Sequence, residues 1–220
     1  MNYPEAKLQT FRLSIEPPIH PSTQSLLKRS IDIAGSLVGL LFLAVVFIPI
    51  VIAIKLDSPG PVFYAQTRCG LRGQTFQLRK FRSMVNDAEQ LKSMVKNEGS
   101  KLLFKNTNDP RITKVGQFLR RTSLDELPQF WNVLVGDMSL VGTRPPTLDE
   151  VEHYNDRHWQ RLEVKPGLTG EWQVNGRSEI KDFEQVVNLD LRYQERWSVF
   201  YDFLLILKTL QVVFARRGAY

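Results

Sequence analysis

Twenty-two consecutive residues, Ile33 to Ile54, carry no charge: IAGSLVGLLFLAVVFIPIVIAI. A helix needs about 20 apolar residues to cross a bilayer core. The run is too long, and starts too deep in the chain, for a signal-peptide core. A buried core helix of this kind is seldom found in a small soluble domain, so the run reads as membrane-inserted. Both flanks are basic, with Lys28 and Arg29 before it and Lys55, Arg68, Arg72, Arg79, Lys80 and Arg82 after it. Basic flanks prefer the cytoplasmic side. A straight crossing pushes one flank outward, whereas a re-entrant hairpin keeps both inside. Pro49 removes a helix hydrogen bond to Val45 and favours a bend there. Charge and proline alone fit both a kinked single pass and a re-entrant helix. Asp32, one turn after Lys28 and Arg29, is spaced to pair with either.

Around this run the pattern changes several times. Residues 1–25 include Pro4, Pro17, Pro18 and Pro21 and show no periodicity, so they read as a flexible leader. Ser58-Pro59-Gly60-Pro61 is a turn. PVFYAQTR and QTFQLRKF are β-prone runs flanking Cys69–Gly73, which predicts a hairpin. Met84, Ala88, Leu91 and Val95 predict a helix over 83–97. Residues 98–112 are polar loop, broken at Asp109-Pro110. Helical patterns return over 114–121, 125–135, 147–162 and 179–197, with loops over 136–146 and 165–177. The final apolar stretch, Val199 to Ala215, contains Asp202 and Lys208 and is a poor membrane span. It fits an amphipathic helix in the membrane interface or a packed core helix.

Composition narrows the partners. One cysteine, Cys69, excludes an intrachain disulfide and a Cys-rich zinc site, and a lone thiol suits a reducing compartment. The net charge of +6 favours an anionic partner: nucleic acid, an anionic membrane or a phosphorylated substrate. G-x-G-x-x-G and G-x-x-x-x-G-K-[ST] phosphate loops are absent, as are H-E-x-x-H and G-x-S-x-G. His153 and His158 are five apart and point to different faces of a helix, so they read as surface histidines rather than a metal site.

What remains is an acidic pair among arginines. LRRTSLDELPQFWNVL sets Asp125 beside Glu126, just after Arg120 and Arg121. Ser123 and Glu126 match the S-x-x-E capping box, and acids suit a first helical turn. The pattern alone favours capping. Adjacent carboxylates can also divide chemical labour. An aspartate can attack phosphorus, while its neighbour holds magnesium, which takes one or two carboxylates and completes its shell with water and phosphate oxygens. Cations must screen the phosphates from the attacking carboxylate. Lys80, Arg82, Arg111, Arg120, Arg121, Arg144 and Arg177 sit at turns or element ends where they could do so, and arginine forks onto phosphate oxygens.

With these residues in place, the chain resembles the bacterial sugar transferases, the catalytic core of polyprenyl-phosphate phosphoglycosyl transferases. The matching stretches are KRSID, SPGPVFYAQTRCGLRGQTFQLRKFRSM, DPRITKVGQFLRRTSLDELPQFWNVLVGDMSLVGTRPP, RLEVKPGLTGEWQVNGR and LDLRYQERWSVFYDFLLILKT. They span about residues 26–215, and the run from Thr122 through Pro145 is long and highly specific. The resemblance implies transfer of a sugar-1-phosphate from a UDP-sugar to polyprenyl (undecaprenyl) phosphate, releasing UMP. This would be the first committed step of exopolysaccharide, capsule, O-antigen or glycoconjugate synthesis. It implies Asp125 as nucleophile, Glu126 with Mg2+, and Arg120 and Arg144 on substrate phosphate. It also implies a membrane helix broken at Pro49 and re-entrant. One departure stands out: the family commonly has V-G-P-R-P where this chain has Val141-Gly-Thr143-Arg-Pro145, which is expected to loosen the loop presenting Arg144. Larger relatives carry transmembrane helices ahead of the core, so the chain looks like the small monotopic form.

The expected fold is α+β and mainly helical. A leader over 1–25 precedes a re-entrant membrane helix over 26–56. A cytosolic catalytic domain over 57–220 then contains a small β-hairpin and ends in a membrane-surface helix. Lys80, Arg82, Arg111 and Arg177 join Arg120 and Arg144 as candidate substrate-binding residues. The expected location is the bacterial cytoplasmic membrane, catalytic domain inside, among anionic lipids and without nucleic acid. The rival reading is a membrane-anchored basic binding or regulatory protein, but no nucleic-acid motif and no basic stripe supports it.

Overall fold

A computed structural model describes residues 19–100, 102–176 and 180–214. Most of the expected leader lies outside the described residues. Its last part forms a short helix, α1 (Pro21–Gln24), held to the domain where His20 Nε2 meets the Gln194 carbonyl at 3.0 Å.

The apolar run is one helix, α2 (Leu26–Asp57), 32 residues long. At about 1.5 Å per residue it is about 48 Å long, more than a bilayer core of about 30 Å. Ser25 caps its start by accepting from Lys28 N, and Ser58 ends it. Pro49 lies inside α2 without ending it. The carbonyl four residues earlier loses its usual donor, but helical turns continue on both sides, as a bend rather than a stop allows.

The faces of α2 are inverted relative to a soluble helix. Its buried positions include Lys28, Asp32, Ser36 and Gly39, then Ile50 and Ile54. Leu37, Val38, Leu41, Phe42, Val45, Ile48, Ile52 and Leu56 are exposed. Polar groups thus face protein and apolar ones face outward, the arrangement that hydrocarbon surroundings stabilise.

The domain begins with a hairpin, as the pattern predicts. Strands β1 (Phe63–Cys69) and β2 (Thr75–Phe81) pair antiparallel, with Phe63 opposite Phe81 and Cys69 opposite Thr75. Helices α3 (Lys114–Arg121) and α4 (Gln129–Val135) follow. A short strand, β3 (Ser139–Val141), leads to helices α5 (Leu148–Val151) and α6 (Asp156–Trp159), then to strand β4 (Gly167–Thr169), which pairs parallel with β3. Helices α7 (Glu171–Val174), α8 (Phe183–Arg196) and α9 (Val199–Phe214) complete the described residues. Cys69, Trp159, Leu162, Phe183, Val186 and Val187 form the main core cluster.

Two helical expectations are corrected. Over 83–97 the only helical piece is a 3-10 turn, Gln90–Met94. Backbone groups at its start pair elsewhere: Val85 N donates to Arg111 O and Ser83 O accepts from Thr113 N. Over 147–162 the pattern breaks into α5, α6 and a 3-10 turn, because extended Asn155 caps a new helix through its side chain.

Both halves of α2 pack on the domain. Lys28 Nζ donates to Asp202 Oδ2 at 2.5 Å and to Val141 O at 2.9 Å, and Tyr193 Oη donates to Asp202 Oδ1. Asp32 forms no direct salt bridge with Lys28 or Arg29 among the described residues; its carboxylate accepts from Ser139 Oγ and Leu140 N, with Lys28 acting on it only through its charge. Arg29 caps α4, donating to the carbonyls of Val133 and Leu134, as a cation at a helix C-terminus should. Gly35 and Gly39 permit this close packing, since a Cβ there would come within 2.5 Å of Leu140 or Phe130. In the second half, Ile50 and Ile54 pack with Phe81 and Leu119, and Asp57 accepts from Val115 N.

Candidate active site

The acidic pair occupies a sharp corner. Helix α3 starts at Thr113, whose hydroxyl accepts from Gly116 N, and ends in the basic turn Arg120-Arg121. Ser123 then adopts a left-handed conformation, φ 56°, and the chain enters a 3-10 turn, Leu124–Glu126. The expected capping box does not form: Ser123 makes no side-chain cap. Its left-handed backbone lacks the extended conformation that an N-cap residue normally adopts. Asp125 is 6% exposed.

A cavity of about 690 Å³ opens beside this corner. Asp125, Arg120, Lys80, Arg82, Arg111 and Arg144 all line it. Six of the predicted site residues, far apart in the chain, therefore meet at one place. Arg177 lies outside the described residues. Glu126 is not among the lining residues, but Lys80, which is, donates from Nζ to Glu126 Oε1 at 2.9 Å.

These cations have different commitments. Arg120 Nε donates to Ser83 Oγ at 2.9 Å. Arg111 is held by Asp109, with Nε to Oδ1 at 2.9 Å and NH2 to Oδ2 at 2.7 Å, and it also ties down the Ala88 carbonyl. Burial opposes the Asp109 carboxylate, yet the bonds from Arg111 hold it below its usual value. Arg82 donates to the carbonyls of Ser58 and Pro59, where it caps α2. Arg111 and Arg82 thus brace the site as well as line it.

Arg144 forks onto Glu150, with NH1 to Oε2 at 2.7 Å and NH2 to Oε1 at 2.9 Å. Burial would raise the Glu150 carboxyl, but Arg144, with Arg68 and Arg161 beyond it, holds it below its usual value. The loop expected to loosen at Thr143 is held by hydrogen bonds. Thr143 is buried, its hydroxyl donates to Arg161 O at 3.0 Å, and its carbonyl accepts from Gly167 N at 2.8 Å. Hydrogen bonds thus pin the loop where proline would have stiffened it.

Sequence reasoning missed Glu150, Trp172 and Arg68, which also line the cavity. Glu150 sits in a Thr147-x-x-Glu150 pattern, and Thr147 does cap α5, so a local signal existed for the helix but not for the ion pair. The Trp172 ring lies 5.8 Å from the Arg144 guanidinium and 5.7 Å from the Lys105 ammonium. Arg68 was read only as a basic membrane flank. His158, expected at the surface, is buried and meets Glu184 at 2.6 Å. Among the described residues no cluster of three or more His, Cys, Asp or Glu could hold a metal. Asp125 and Glu126 fit the lighter demand of magnesium, which takes one or two carboxylates and leaves room for water and phosphate.

A family profile described as bacterial sugar transferase matches residues 23–216. The chain is 47% identical over 224 residues to the galactosyl transferase CpsE of Streptococcus agalactiae, covering 99% of this chain and 50% of that protein. It is 45% identical over 203 residues to the UDP-glucose:undecaprenyl-phosphate glucose-1-phosphate transferase of Escherichia coli, covering 89% and 42%. It is 42% identical over 214 residues to the undecaprenyl-phosphate galactose phosphotransferase of Salmonella typhimurium, covering 94% and 44%. The chain spans half the length of these relatives or less.

Proposed function

The chain belongs to the bacterial sugar transferase family, and from that premise we propose that it moves a hexose-1-phosphate from a UDP-sugar to undecaprenyl phosphate, releasing UMP. The names of the relatives favour UDP-glucose or UDP-galactose as donor. The observation that carries the reading is Asp125, buried at the wall of a cation-lined cavity, another of whose lining residues, Phe81, packs on the apolar helix.

The reaction runs in two displacements. An Asp125 carboxylate oxygen attacks the sugar-bearing phosphorus; the new O–P bond forms as the bond to UMP breaks, and UMP leaves with the electron pair. A phosphate oxygen of undecaprenyl phosphate then attacks the same phosphorus and returns Asp125 as a carboxylate. Arg120 and Arg144 would hold phosphoryl oxygens, and Lys80 would keep Glu126 oriented between turnovers. A magnesium ion at Glu126, when bound, would supply positive charge for the phosphates. Two steps suit one water-soluble substrate and one confined to a bilayer, because the two never need to bind together.

The re-entrant reading of α2 is supported by its contacts. Lys28 and Asp32 near one end and Asp57 at the other all engage the same domain. A straight crossing would set those ends on opposite sides of the membrane. Exposed Phe200, Phe203, Leu207 and Leu210 on α9 support a surface helix at the same depth, and basic flanks favour the cytoplasmic side.

The test is the covalent adduct. Purified protein given UDP-glucose or UDP-galactose with magnesium and no acceptor should gain the mass of a hexose phosphate. Asp125→Asn should remain membrane-bound and gain nothing. An adduct of undiminished yield in that variant would remove Asp125 as nucleophile.

A further inference from the structure

Arg68 stands at the end of β1 and lines the cavity. Its Nε and NH2 donate to Gln66 Oε1 at 3.0 and 2.6 Å, and its NH1 donates to Pro145 O at 2.9 Å. A guanidinium has five N–H donors, so two have no acceptor among the described residues. Lys80, Arg111 and Arg144, on the same wall, are each ion-paired with a carboxylate. Arg68 hydrogen-bonds only to neutral acceptors; burial and then the like charge of Arg144 oppose its charged form most, while Glu150 favours it. Glu150 is already forked by Arg144. Two guanidiniums thus share one carboxylate, at a place where unbalanced charge is costly. An anion entering the cavity would supply the missing negative charge, and two parallel-capable N–H groups suit phosphate oxygens.

We propose that Arg68, beside Arg144, is a binding residue for a phosphoryl group of the nucleoside diphosphate donor. The inference rests on the donor reading above and adds to it a residue that the acidic pair and its neighbouring arginines do not include. Arg68 also touches the Arg144 loop, through Pro145 O and through the neighbouring bond from Cys69 N to Pro146 O. A purely positioning role is therefore the alternative that the experiment must separate.

The experiment is titration calorimetry of the lipid-embedded full chain with UDP and, separately, inorganic pyrophosphate. Arg68→Gln should weaken UDP binding by about tenfold or more, the scale of a lost charge-assisted pair. Arg68→Lys, which keeps a cation able to reach Pro145 O, should recover part of the loss and guards against misfolding of the first variant. The double variant Arg68→Gln/Arg144→Ala should bind more weakly than Arg144→Ala alone. Unchanged UDP affinity in Arg68→Gln would overturn the proposal, and so would a double variant no weaker than Arg144→Ala. Wild-type chain that binds pyrophosphate through Arg68 but not UDP would sink the donor reading while keeping Arg68 as a phosphate ligand. Binding of neither would overturn both.

Discussion

Asp125 and Glu126 are adjacent in sequence but have different surroundings. Asp125 lines the cavity, and Glu126 is bonded to Lys80, which lines it too. Their presence was legible as an acidic pair among arginines; the missing Ser123 cap was not, because S-x-x-E fits a cap equally well and only the left-handed Ser123 decides. Tertiary pairs were equally hidden: nothing in the spacing of Arg144 and Glu150 singles out a forked ion pair. That pair has a pH signature. The folded-state pKa of Glu150 lies below its usual 4.5, so its stabilisation is fully present above about pH 4.5 and is lost as pH falls through the folded value. Glu150→Gln leaves Arg144 largely buried without its counter-charge and should cost about 3–5 kcal/mol at neutral pH. Thermal melts should show a gap between wild type and variant that closes below about pH 4.5. A gap independent of pH would mean that the pair does not carry this stability.

At the scale of elements, the membrane helix was the most legible feature, because an uncharged run of that length has few other uses. The hairpin was legible from two β-prone runs around a glycine turn, with Gly73 and Arg72 taking up positive φ. The helix expected over 83–97 failed because its backbone is claimed by the 111–113 segment, a long-range pairing that periodicity cannot register. The anchor of α2 was also out of reach of the sequence, since Lys28 and Asp202 are 174 residues apart. Lys28→Met should strand Asp202 as a buried charge and cost about 3–5 kcal/mol, whereas Lys28→Met with Asp202→Leu should recover most of it. Thermal unfolding in lipid nanodiscs measures both. A double variant as unstable as the single would show that the loss lies in packing rather than in the stranded charge.

At the scale of the whole molecule, the apolar helix α2, the basic cavity and the buried Asp125 form a connected unit. The cavity joins residues from β1, β2, α3, the 3-10 corner and the Arg144 loop. The other walls of that unit brace α2, through Phe81 and Leu119 on one half and Val141 and Asp202 on the other. The net charge of +6 suits both a phosphorylated donor and an anionic membrane surface. The sequence alone could point to such a partner but not to the cavity, which exists only once segments far apart in the chain meet. The central claim is that phosphate travels with the sugar, and the nucleotide released tests it most directly. Lipid-embedded protein, magnesium, undecaprenyl phosphate and UDP-glucose or UDP-galactose should yield UMP in step with lipid product, and Asp125→Asn should yield none. Release of UDP instead would mean that the sugar moves alone, and would contradict the covalent aspartyl route.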